Sequence, residues 1–168
     1  MPTLSEALQA THTRAENGTS ISQEVFEIML KEHHVFMIED NAGGFWETYQ
    51  IEDLIVGAYY GEDYKNSNKG EQAMLAFQNL MHLKLSNIKL RYANCIGVQA
   101  KNQIWDGADL EGSIFTNAIL TGCSFKNVDL SGVDFSRSDM RNCNFEGAIL
   151  DNTDFEDCNL EGAKNMAT

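Results

Sequence analysis

From Leu110 to Leu160 a bulky apolar residue returns at every fifth position without a break: Leu110, Phe115, Leu120, Phe125, Leu130, Phe135, Met140, Phe145, Leu150, Phe155 and Leu160. Two residues before each stands a smaller one: Ala108, Ser113, Ala118, Cys123, Val128, Val133, Ser138, Cys143, Ala148, Thr153 and Cys158. A spacing of five fits neither the 3.6-residue turn of a helix nor the two-residue alternation of a strand. A five-residue side cannot bury its apolar face alone, so such sides must stack, each layer touching only its neighbours. Gly and Asn recur where a chain of this kind would turn, at 107, 112, 117, 122, 127, 132, 142, 147, 152 and 162.

Runs such as Gly107-Ala-Asp-Leu-Glu111 and Asn127-Val-Asp-Leu-Ser131 resemble the pentapeptide-repeat family, whose pattern is A(D/N)LXX. The resemblance covers residues 106–163 and continues faintly back to 83 through Leu85, Leu90, Cys95, Ala100 and Trp105. It implies a mainly β fold, a right-handed quadrilateral β-helix in which each pentad is one side of a square and four pentads make a coil. Residues 83–168 would then hold about 3–4 coils. The start is set between 83 and 105, because Gln103 is not small and Trp105 is oversized for the pattern. Stepping by 20 puts Phe115, Phe135 and Phe155 in one column and Phe125 and Phe145 in the opposite one, so aromatic stacking along the axis is expected.

Residues 1–82 lack the repeat and read as a small α+β domain that covers the open end of the solenoid. Thr3 and Glu6 form a capping-box pattern for a first helix that Asn17-Gly18 would end. Ser20 and Gln23 would cap a second helix to about His33, with Ile21, Val25, Ile28 and Met29 on one face. Residues 35–39 and 45–51 read as two strands around a turn at 40–44, and 54–60 fits helix or strand. A polar loop at 61–70 would lead into a last helix to about Leu83, burying Met74, Phe77, Leu80 and Met81.

The chain carries 25 acidic and 12 basic residues, a net charge of −13. That balance speaks against direct binding to nucleic acid or to an anionic membrane surface. No stretch is long and apolar enough for a spanning helix, residues 1–18 are polar, and the four cysteines form no CxxC pair. A cytoplasmic setting with free thiols is the expectation. Cys123, Cys143 and Cys158 fall at the inward small position and read as structural thiols. His33-His34 would sit at a solvated helix end, where the dipole favours them. No nucleophile triad, phosphate loop or metal-ligand spacing is present, so no catalytic residue, metal or cofactor is assigned.

From residue 106 onward 12 acids face four bases, a net of −8. The acidic interaction surface is assigned to Asp109, Glu111, Asp129, Asp134, Asp151, Asp154, Glu156, Asp157 and Glu161. An apolar contact patch is assigned to Ile114, Ile119 and Ile149, which hold an outward slot where Asp or Asn is usual. The last coil lacks a cap, and a homodimer through Leu160, Ala163 and Met166 is expected. The resemblance implies a non-catalytic protein-binding module: some members match duplex DNA in width and charge and occupy the DNA groove of type II topoisomerases. A protein partner such as a DNA-binding enzyme, a topoisomerase or nuclease, follows from it. The alternative is a scaffold in which the N-terminal domain recognises the partner and the repeat is a spacer or dimerisation element.

Overall fold

The computed structural model describes residues 22–39, 45–51, 54–60, 73 and 75–166. Three conventional elements come first: helix α1 (Gln23–Glu39), strand β1 (Phe45–Ile51) and strand β2 (Leu54–Tyr60). β1 and β2 pair antiparallel in register from Phe45–Tyr60 to Ile51–Leu54. From Ala73 the chain winds into square coils.

One backbone pattern builds those coils. In each pentad the first two residues turn the corner, the third and fifth point inward, and the fourth pairs with the coils on either side. The pairing is parallel and always to the residue 20 further on, as in Asp109–Asp129, Asp129–Ile149 and Ile114–Asp134. Twenty residues per coil means four sides. The second corner residue takes positive φ; Asn102, Asn117, Asn127, Asn142 and Asn152 lie between 54° and 61°. Asn and Gly tolerate that conformation best, which accounts for the corner residues seen in the sequence.

The inward fifth positions form four columns. Two are aromatic. Trp105, Phe125 and Phe145 stack with ring centroids 6.1 and 5.6 Å apart. Phe115, Phe135 and Phe155 follow at 5.3 and 5.7 Å. The two columns meet edge-on across the square, Trp105 with Phe115 at 5.5 Å and Phe145 with Phe155 at 6.0 Å. The other columns are Leu90–Leu110–Leu130–Leu150 and Leu80–Ala100–Leu120–Met140–Leu160, nearly all fully buried until the last coil. Each such side chain contributes roughly 1.5–3 kcal/mol by leaving water.

The third-position hydroxyls and thiols are satisfied within the core. Ser138 Oγ donates to the Phe115 carbonyl at 2.7 Å, and Thr153 Oγ1 to that of Leu130 at 2.9 Å. Cys123, Cys143 and Cys158 do the same with Ala100, Leu120 and Phe135. All four cysteines are free thiols. Burial pushes the Cys95 and Cys158 thiols up; Cys143 is raised by the neighbouring Cys123 thiol and by burial.

α1 packs against the N-terminal end of this column. Phe26 is fully buried in the same apolar cluster as Leu75, Leu80 and Leu85, with Met29 and Leu30 packed beside it. Two polar contacts fix the helix: Nδ1 of His33 accepts the Ala73 N–H at 3.0 Å, and Oε1 of Gln23 accepts the Lys84 N–H at 3.1 Å. Lys84 makes no inter-coil bridge, so the one irregular pentad, 81–85, is where the helix docks. The exposed Met81 carbonyl there accepts from Gln103 Nε2 at 2.6 Å, which explains a glutamine at a position meant for a small residue.

Several expectations for the first half are corrected. Residues 35–39 continue α1 rather than forming a strand, because extending a helix is cheaper than starting a new element. β1 therefore pairs with 54–60, which is a strand. The buried face of α1 runs through Phe26, Met29, Leu30 and His33, while Ile28 is 53% exposed. His33 is buried, not solvated; His34 is exposed. Residues 75–83 form no helix: Leu75 and Leu80 are inward pentad centres, Phe77 turns a corner at φ 61°, and Met81 is exposed. The coil ladder already holds at Leu75, whose N–H donates to the Asn94 carbonyl at 2.7 Å, so the boundary at 83 falls inside the β-helix. Inward centres run from Leu75 to Leu160, making four and a half coils rather than three to four. Trp105 is no misfit, being fully buried in its column. The first helix, Ile21, Met74 and the loop at 61–70 lie outside the described residues.

Candidate interaction surface

What reaches solvent from a square coil is the fourth residue of each pentad and the two at the corner. The fourth positions stack in four ladders, one per side: Lys89–Asp109–Asp129–Ile149, Asn94–Ile114–Asp134–Asp154, Asn79–Gln99–Ile119–Asp139–Asn159 and Ile104–Ser124–Asn144–Lys164. An Asp or Asn there has a local task. Its side-chain oxygen accepts the N–H of the residue two further on, which the turn leaves unpaired. Asp129 serves Ser131 at 3.0 Å, Asp134 serves Ser136 at 2.8 Å, and Asp154 serves Glu156 at 2.8 Å. Asn144 and Asn159 do the same without a charge. The acidic consensus of the repeat is thus a backbone cap first.

The nine assigned carboxylates separate into distinct groups. Asp109 and Glu111 are partnered: Arg91 reaches Asp109 at 2.8 Å and Glu111 at 2.9 Å, and Lys89 lies 3.5 Å from Asp109. Asp129 and Asp134 are half-buried turn caps. Asp151, Asp154, Glu156, Asp157 and Glu161 are exposed, all in the last coil. Glu146 also belongs to that coil and meets Lys126 at 2.9 Å. Asp139 forms a two-bond pair with Arg141, at 2.8 and 2.7 Å, and the hydrogen bond holds its carboxyl down at about 2. Among residues 146–165 the only base is Lys164.

The three isoleucines do not share a face. Ile114 and Ile119 occupy adjacent sides of one coil and are half-buried, while Ile149 stands in the Asp109–Asp129 ladder. Ile104, 56% exposed, lies on the fourth side and was not assigned from sequence, since its pentad departs from the pattern. Leu160, Ala163 and Met166 are partly buried against the core, as are Leu150 and Phe155.

The ladder also has a direction. Each regular pentad sends two N–H groups and one carbonyl to the next coil, as with Leu110 and Gly112, which donate to Asp129 and Ser131. One N–H per pentad points back, as from Asp109 to Ile88. The last coil therefore ends in an excess of donors. Among the described residues, no hydrogen bond is made by the N–H groups of Gly147, Leu150, Asn152, Phe155, Asp157, Leu160 and Gly162, or by the carbonyls of Ala148, Thr153 and Cys158.

Among the described residues no group of three or more His, Cys, Asp and Glu is placed to hold a metal ion. No described helix is long and apolar enough to cross a membrane.

A stack of four-sided coils with a 20-residue return defines the right-handed quadrilateral β-helix. The family model for pentapeptide repeats matches residues 93–132 and 129–164, with eight copies, so this region of the chain carries the repeats of that family. No curated protein matches the sequence. Among solved structures, the chain is similar to HetL, a pentapeptide repeat protein involved in heterocyst differentiation regulation from the cyanobacterium Nostoc sp. Strain PCC 7120. The identity is 28% over 51% of this chain and 40% of that one, with a TM-score of 0.50. A pentapeptide repeat protein of the Arabidopsis thaliana thylakoid lumen aligns at 28% identity over 60% of this chain and 73% of its own, TM-score 0.32. QnrB1, a plasmid-mediated fluoroquinolone resistance protein, aligns at 18% identity over 60% and 62%, TM-score 0.29. The chain thus spans well under half the length of HetL.

Proposed function

We propose that the chain is a non-catalytic protein-binding module whose acidic β-helix surface regulates or blocks a partner that itself handles DNA. The observation that carries this reading is the concentration of exposed carboxylates with no ion-pair partner among the described residues, at Asp151, Asp154, Glu156, Asp157 and Glu161, on a coil with one base. Ordered carboxylates on a stiff support compete for a basic groove, and the binding they give weakens steeply with salt. Further upstream the acids are neutralised by Arg91 and Lys89 or used as turn caps, so the competing surface is the C-terminal coil and not the whole rod. HetL's involvement in a regulatory process agrees with a regulatory module.

The test is affinity capture from a bacterial lysate with washes at low and high salt. The wild-type chain is run beside a variant with Asp151, Asp154, Glu156 and Asp157 changed to Lys. The expected outcome is a DNA-binding enzyme held by the wild type, released by salt and absent from the variant. A partner held equally by both moves recognition to the N-terminal elements, where Ile28 is exposed on α1 and the repeat would serve as a spacer.

A further inference from the structure

The third-position column of one side runs Gln103, Cys123, Cys143, and its two thiols are the one pair of stacked cysteines among the described residues. Cys95 is a fifth-position centre, and Cys158 follows Ser138 on another side. The backbones of Cys123 and Cys143 pair directly: Ser124 bridges Asn144, and the Asn144 N–H donates to the Cys123 carbonyl at 3.0 Å. Each thiol donates to the carbonyl 23 residues earlier, Cys123 to Ala100 at 2.8 Å and Cys143 to Leu120 at 3.1 Å. The same bond made in successive coils means the same side-chain direction. The two sulfurs are therefore offset by one coil, about 4.8 Å.

That offset decides what the pair can hold. A disulfide needs sulfurs about 2.05 Å apart, and the ladders on both sides fix the coil spacing, so a bridge is disfavoured. Zinc takes four ligands, and no third His, Cys, Asp or Glu joins the two among the described residues. Two thiolates in line suit a soft monovalent cation. Two metal–sulfur bonds of about 2.3 Å laid end to end span about 4.6 Å, close to the coil spacing. Both side chains point inward, across the axis, so each Cβ–Sγ bond meets that line near a right angle, as a bent thiolate ligand requires.

A second observation points the same way. Nε1 of the fully buried Trp105 has no hydrogen-bond partner among the described residues. The neighbouring Cys143 thiol draws the Cys123 thiol below its ordinary value against the cost of burial, and the Trp105 N–H adds to the effect. That N–H thus faces a sulfur that accepts poorly as a thiol and well as a thiolate. Loss of the thiol protons strands no carbonyl: Ala100 keeps the Gln103 N–H at 3.3 Å, and Leu120 keeps the Cys123 N–H at 3.0 Å.

We propose that Cys123 and Cys143 form a two-coordinate site for the soft cation Cu(I), held between stacked coils. Binding forms two metal–sulfur bonds and releases both thiol protons, with no electron transferred. The single negative charge left on the site meets the Trp105 N–H. Gln103, next in the column, is half-buried, so the site lies one layer beneath the surface. The ion enters by local opening of the corners at 121–122 and 141–142. The site shares no residue with the acidic surface.

The probe is Cu(I) presented to the full chain as its bicinchoninate complex, under argon, with uptake read from the loss of the complex's colour. The wild type is expected to remove a single equivalent. Cys123→Ser and Cys143→Ser are each expected to lower uptake at least tenfold. Both variants should fold, because Ser113 and Ser138 hold the same pentad position and make the same bond to a carbonyl 23 residues back; circular dichroism checks this. Cys158→Ser is expected to take copper as the wild type does. X-ray absorption on the loaded wild type should show two sulfur neighbours and no nitrogen or oxygen. No uptake by the folded wild type, equal uptake by the Cys123 and Cys143 variants, or a third ligand in the shell overturns the proposal.

Discussion

Nδ1 of His33 accepts the backbone N–H of Ala73 at 3.0 Å, tying the buried side of α1 to the first turn of the solenoid. An imidazole can accept there only while neutral. Desolvation by burial lowers the His33 pKa from 6.5 to about 4, opposed by the Arg91 backbone and assisted by neighbouring His34. The unfolded chain therefore takes up the proton first. Stability from this group is complete above about pH 6.5 and is lost as pH falls toward 4, by about 3 kcal/mol in all. Chemical denaturation at pH 7 and pH 4.5 checks it. His33→Gln, which keeps an acceptor and does not titrate, should flatten that part of the profile.

Phe135 touches Phe115, Phe125 and Phe155 and is fully buried. Phe135→Ala is expected to cost about 3–5 kcal/mol, since neighbouring coils cannot collapse into the void without breaking register. A denaturant midpoint close to wild type would refute the packing described.

Gly112 and Gly132 occupy the same corner one coil apart, at φ 66° and 64°. The Tyr92 ring lies where a Cβ on Gly112 would go, while Gly132 faces only Gly112 in ordinary contact. Gly132→Ala should cost about 1–2 kcal/mol from backbone conformation alone. Gly112→Ala should cost clearly more, and the excess should shrink in the background Tyr92→Ala. Thermal or denaturant unfolding of the four variants forms the cycle.

Asp154 caps the Glu156 N–H through Oδ1. Asp154→Asn keeps that acceptor and is expected to leave stability unchanged, whereas Asp154→Ala should cost about 0.5–1 kcal/mol, in the range of helix caps. Equal losses for the two would mean that charge, not capping, is what the fold uses there.

The thiols should differ in reach. Cys95 is fully buried and Cys158 half-buried, with both pKa values raised by desolvation. Timed alkylation of the native chain at pH 8, read by mass spectrometry, should modify Cys158 first and Cys95 last.

The coil from 106 on was legible because one rule repeats and each repetition checks the last. Inward Leu and Phe, corner Asn and Gly, and opposed aromatic columns all follow from spacing. What lies before 106 was harder for a definite reason. Ala100 and Gln103 satisfy the register through contacts that spacing does not reveal, Gln103 by reaching the Met81 carbonyl. Met74, Phe77, Leu80 and Met81 also fit a helical stripe, and only the pairing of Leu75 with Asn94 decides between the two. The buried face of α1 was misassigned because Ile28 looks more like a core residue than His33, whose burial depends on an acceptor role toward Ala73. For the acids, sequence gave charge but not duty: Asp129 and Asp154 are alike as letters, yet one is half-buried and the other open.

The twenty-residue return, finally, sets the unit in which such a chain can change length. Removing residues 111–130 would join Leu110 to Ser131 and leave every position in its own column or ladder, Trp105 meeting Phe145 and Asp109 meeting Ile149 in the next coil down. Removing five residues would instead turn everything downstream by a quarter, setting Phe columns over Leu columns and moving each outward face to its neighbour. The rod is thus a counter with four teeth. It tolerates whole turns and registers any fraction of one as a change in what each side displays.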